Sequence, residues 1–60
     1  MAFNRTAFLN DARNECIRQG CDAEDTLDCV DEIAEHADYY RNVYKTGKRA
    51  AAGWLNGQDT

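Results

Sequence analysis

Asp22-Ala23-Glu24-Asp25-Thr26-Leu27-Asp28-Cys29-Val30-Asp31-Glu32-Ile33-Ala34-Glu35-His36-Ala37-Asp38-Tyr39-Tyr40-Arg41-Asn42-Val43-Tyr44-Lys45 is the most regular stretch of the chain. Apolar residues recur at Leu27, Val30, Ile33, Ala34, Ala37, Tyr40 and Tyr44. Steps of three and four put them on one face of a helix, because an α-helix turns once in 3.6 residues. Asp22 stands before the run as an N-cap, and Asp25 three residues on makes a reduced capping box. Acids crowd the first half and Arg41 and Lys45 come last, the order the helix dipole favours. The expectation is one helix over 23–46, stopped by Gly47.

Upstream, the spacing predicts a first helix over 4–19. Asn4 is a good N-cap, and Phe3 and Phe8 have the spacing of a hydrophobic staple. Leu9, Ala12 and Cys16 follow at helical intervals, with Ile17 nearer the edge of the stripe. Arg18 lies in the last turn, and Gly20 sits where a helix C′ residue belongs. A loop of only 20–22 makes the two helices an antiparallel αα-hairpin. At 1.5 Å per residue they measure about 24 and about 36 Å, an overhang of about 12 Å that carries Tyr40, Val43 and Tyr44. A short helix over 48–55, anchored by Trp54, is expected to fold back and cover it. The fold class is therefore all-α, one small helical domain spanning 1–60.

The chain has 60 residues, 11 acidic and 7 basic, with a formal charge of −4 and 43% hydrophobic residues. That composition is globular, and acidity works against direct nucleic-acid binding, which draws on cations meeting phosphates. No apolar run approaches the roughly 18 residues of a membrane span, and the start has no apolar leader, so no membrane partner and a cytoplasmic location are expected. Three cysteines without framework spacing suit a reducing compartment. A chain this short buries only about 60% of its unfolded surface, and such scaffolds usually lean on a staple, a partner or a second copy.

Catalytic and metal chemistry find little support. Cys16, Cys21, Cys29 and His36 are spaced Cys-x4-Cys-x7-Cys-x6-His, without the paired ligands of a structural zinc site. Cys16 faces the expected core and Cys29 the edge of helix two, where thiols serve as small hydrophobes. His36 is two turns beyond Cys29, about 10 Å away and too far to activate a thiol. There is no phosphate loop, nucleophilic serine motif or EF-hand spacing. The expectation is no enzyme, no cofactor and no metal.

The charge pattern is more informative. Glu24, Asp28, Asp31, Glu35 and Asp38 form one stripe about 80° wide on a helical wheel, set off from the apolar face. As a plain solvated face the stripe keeps a small protein soluble. As a binding face it stands in for nucleic-acid phosphates and meets a host protein with a basic nucleic-acid-binding groove, Tyr39 lying near the rim. The other end interleaves Arg41, Lys45, Lys48 and Arg49 with aromatics, the alternative nucleic-acid-binding set. Acidic middle and basic end would also pair in an antiparallel homodimer.

Asp22-Ala23-Glu24-Asp25 followed without gaps by His36-Ala37-Asp38 resembles the second helix of the Rop family, small plasmid RNA-binding helical hairpins, over residues 22–41. The resemblance puts Cys29, Val30, Ile33 and Ala37 on core positions and implies a helical hairpin and dimerisation. The first helix here is shorter by about two turns and does not match in register, so no RNA-contacting residue carries over. Together these features point to a non-enzymatic interaction protein of the kind phages and mobile elements use to inhibit a host factor by stoichiometric binding. An anti-CRISPR-type or nucleic-acid-enzyme inhibitor is its concrete form. A homodimeric hairpin regulator that binds RNA or DNA is the alternative, and a structural adaptor or assembly subunit the third.

Overall fold

Asn4 opens the first helix by accepting a hydrogen bond from the Ala7 amide at 3.0 Å, and Phe3 meets Phe8 edge-on with ring centroids 5.4 Å apart. Cap and staple thus form as their spacing requires. In the computed structural model, which describes the backbone of residues 3–58 and side chains as far as 57, this is α1, Arg5–Arg18. It ends at Gly20, whose φ of 91° is one that L side chains resist. The Gly20 amide donates to the Ile17 carbonyl and the Cys21 amide to the Cys16 carbonyl, both at 3.0 Å, the paired bonds of a Schellman stop. Asp22 then caps α2, Ala23–Glu35, by accepting from the Asp25 amide at 2.8 Å.

The expected helix over 23–46 is two helices. α2 stops at His36 (φ −117°, ψ 40°), and α3, Ala37–Tyr44, restarts at once. No proline or glycine marks the place. The break is answered from α1: the Arg5 guanidinium donates to the Ala34 carbonyl oxygen at 3.0 Å, taking an acceptor that a continuous helix would give to the Asp38 amide. α3 can then turn its aromatic side inward. Tyr40 and Tyr44 stack with centroids 5.7 Å apart, both half-buried against the core, and Arg41 lies 4.5 Å from the centre of the Phe3 ring.

The stop and the third segment also differ from expectation. α3 ends at Lys45, with φ 71°, and Thr46 caps α4, Gly47–Gln58, by accepting from the Arg49 amide at 3.2 Å. Gly47 is buried within the first turn of α4 because the backbone passes close to α1. A Cβ there would run into the Phe8 carbonyl and lie 2.8 Å from Asp11 Cβ. α4 is therefore longer than 48–55 and packs most extensively on α1, as well as on α3 and α2. The molecule is all-α, with no strand among the described residues.

Phe8, Ala12 and Cys16 of α1, Cys29 and Ile33 of α2, and Ala50 and Ala51 of α4 form the core. Leu27, expected on the buried face, is 61% exposed, whereas Cys29, expected at the edge, is fully buried. Contact with α4 as well as α1 swings the buried arc of α2 to Thr26, Cys29 and Ile33. Leu27 and Val30 are left on the flank.

Candidate functional site

The two flanks of α2 carry different chemistry. With Cys29 facing the core, Asp25, Asp28, Asp31, Glu32 and Glu35 fall on one side at 100° per residue, and Ala23, Leu27 and Val30 on the other. α4 runs along the acidic side and brings Trp54, half-buried, to it. Asp25, Asp28, Asp31, Glu32, Glu35 and Trp54 line one shallow groove of about 510 Å³.

Among the described residues, the ion pairs are Arg18 with Glu15 at 2.7 Å and His36 Nε2 with Glu32 at 3.7 Å. Asp25, Asp28, Asp31 and Glu35 have none. Like charges three and four residues apart on one helix repel by a few tenths of a kcal/mol per pair, so this flank is a cost to the isolated helix. A cation laid in the groove would relieve that repulsion and meet the Trp54 ring, and ammonium and guanidinium groups bind indole faces by about 0.5–2 kcal/mol.

The expected stripe is only partly assembled. Asp28, Asp31 and Glu35 share the groove. Glu24 is exposed on the first turn of α2, outside it. Asp38 and Tyr39 belong to α3, beyond the break, and line a separate hollow with Phe3, Arg5 and His36 that only Glu35 shares. Tyr39 is 58% exposed and meets Tyr40 edge-on at 5.4 Å. Of the basic set, Arg41 is engaged by Phe3, and Lys45, Lys48 and Arg49 are exposed around the turn into α4.

His36 stands apart from the cysteines. Its ring nitrogen and the carboxylates of Glu32 and Glu35 lie within 4.8 Å of one another on the surface. The cysteines are free thiols. Burial pushes the Cys29 thiol far up, with Cys16 beside it adding to the effect, and raises Cys21 as well. Neither is poised as a thiolate nucleophile.

Glu15 was not legible as a buried residue. It is only 4% exposed and accepts two bonds from Arg18 (2.9 and 2.7 Å) and one from Gln19 (2.8 Å). Those bonds, Arg18 first, hold its carboxyl at about 2. The i, i+3, i+4 spacing of Glu15, Arg18 and Gln19 was the available signal. Trp54 joining the acidic flank had none, since it depends on how α4 docks. Compared with known families, curated proteins and solved structures, the chain matches none.

Proposed function

We propose that this chain is a non-enzymatic binding protein whose acidic α2 flank docks in a basic, nucleic-acid-binding groove of a host protein and blocks it by occupancy. One observation supports the reading above the others. Five carboxylates and the only tryptophan share a groove, and Asp25, Asp28, Asp31 and Glu35 have no cation paired with them among the described residues. Carboxylates spaced along the flank answer a row of lysines and arginines, and Trp54 offers a face on which one guanidinium stacks. Glu24 at the start of the flank extends the charge, and Asp38 with Tyr39 lies at its far rim. Such a protein is an inhibitor of the anti-CRISPR type in chemistry: its target normally holds phosphates.

The test is capture from host lysate on the immobilised chain, compared with the charge-reversed variant Asp28→Lys/Asp31→Lys/Glu35→Lys. The reading expects nucleic-acid-binding proteins that elute with salt and are missing on the variant, whose helicity by circular dichroism is unchanged. Equal capture by both would overturn it. The exposed Lys45, Lys48 and Arg49 at one turn support a second reading, direct RNA or DNA binding. That reading requires a gel shift that weakens with salt and is lost when all three become alanine.

A further inference from the structure

α2 ends in an arrangement that neither its dipole nor its charge favours. Glu32 and Glu35 occupy the last turn, that turn has no basic residue, and His36 caps it. Carboxylates at a helix C-terminus face the negative end of the dipole, and two of them three residues apart also repel each other. Arg5 reaches this end from α1, but its guanidinium donates to the Ala34 carbonyl at 3.0 Å. Among the described residues neither glutamate has a lysine or arginine paired with it.

The histidine decides what the cluster can hold. His36 Nε2 stands 3.7 Å from Glu32 Oε1, and the donor atoms of Glu32, Glu35 and His36 all lie within 4.8 Å of one another. A hydrogen bond between nitrogen and oxygen spans about 2.7–3.2 Å, so His36 and Glu32 are too far apart to bond directly. Two donors on one tetrahedral zinc ion, each about 2.0–2.2 Å from it, stand about 3.4 Å apart. The separation therefore suits an ion between them better than a shared proton. Positions i and i+4 put Glu32 and His36 one turn apart on one face, and Glu35 lies beside them. The side chains are solvent-accessible, 46% for Glu32 and 54% for His36, so rotation about their outer bonds brings the donors in without moving the backbone.

We propose that Glu32, Glu35 and His36 form a site for a divalent transition-metal ion of the zinc class. One imidazole with two carboxylates suits zinc, and nitrogen among the donors disfavours calcium and magnesium, which take oxygen. The ion's two charges match those of the glutamates, and at the C-terminal end of α2 it has the sign that the dipole favours. Three protein ligands leave one coordination position for water or for a donor from another molecule. Glu35 lines both the acidic groove and the hollow of Phe3, Arg5, Asp38 and Tyr39, so the ion sits where the two meet.

His36 is the only histidine, so its ring protons report on the site directly. Titrating zinc chloride into the reduced protein, with magnesium in excess, should shift those proton NMR signals and saturate at one equivalent. Calorimetry should give a micromolar dissociation constant. His36→Ala and Glu32→Gln should each weaken binding at least tenfold, since losing even an indirect support of a metal ligand costs about 10–100-fold. Both side chains reach solvent, so helicity should be unchanged. Cys21→Ser, which removes the one thiol that is not fully buried, should bind zinc as the parent does. Ring signals that zinc leaves in place overturn the proposal. So do binding that is lost in magnesium, a smaller loss in either variant, and binding that depends on Cys21. The site needs no partner protein, so its failure leaves the docking reading intact.

Discussion

The Arg5 guanidinium reaches the Ala34 carbonyl at 3.0 Å, bridging 29 residues and tying the start of α1 to the last turn of α2. Arg5→Met keeps the stem and removes the donor. One such bond at an exposed site contributes about 1 kcal/mol, offset by a few tenths because a cation at a helix N-terminus is unfavourable. The expected outcome is a loss of roughly 0.5–1 kcal/mol in denaturant unfolding. No loss at all would mean that the break at His36 does not depend on Arg5.

That bond also shows why the break was not legible. Caps, staple and the Gly20 stop are contacts between residues at most five apart, and their spacing announces them. The end of α2 is decided by a residue on another helix, and the local sequence around His36 reads as helix throughout. The same holds for the candidate site. Spacing alone aligned Asp28, Asp31 and Glu35, but their meeting with Trp54 depends on α4 lying along α1, and the separation of Asp38 and Tyr39 depends on the break. Leu27 and Cys29 exchanged roles because three helices, not two, meet around Ile33.

Gly53 faces the Tyr44 ring so closely that an added Cβ would enter it, while nothing lies near the Cβ position of Gly57. Alanine helps an ordinary helix position by about 1 kcal/mol over glycine. Gly53→Ala should nonetheless destabilise by about 1–3 kcal/mol, because overpacking pushes Tyr44 aside. Gly57→Ala should leave stability equal or higher. Thermal melts of the two variants decide this, and equal melting temperatures would contradict the packing of α4 on α3.

Acid should weaken the fold through Glu15. Its folded value of about 2 lies below the ordinary 4.5, so its contribution is present above pH 4.5 and is lost as pH falls toward 2. Glu15→Gln should flatten stability against pH in that window: the variant should be less stable than the parent at pH 7, by about the drop the parent shows in acid, and the two should converge toward pH 2. A parent whose stability is constant from pH 5 to pH 2 would contradict the Arg18 and Gln19 bonds.

Thiol labelling should separate the cysteines. Cys21 is half-buried, whereas Cys16 and Cys29 are fully buried. In the folded protein an aromatic disulfide reagent should consume one thiol quickly and the other two only with unfolding, with all three reacting in denaturant. Three equally fast thiols would contradict the core.

The binding claim is tested most directly by the fluorescence of Trp54, the only tryptophan in the chain and one wall of the acidic groove. Titrating an arginine-rich peptide into the protein at low salt should change the emission saturably, and the change should weaken with added salt. It should vanish in Asp28→Lys/Asp31→Lys/Glu35→Lys. Emission that is indifferent to the peptide, or that responds equally in the charge-reversed variant, would contradict the account.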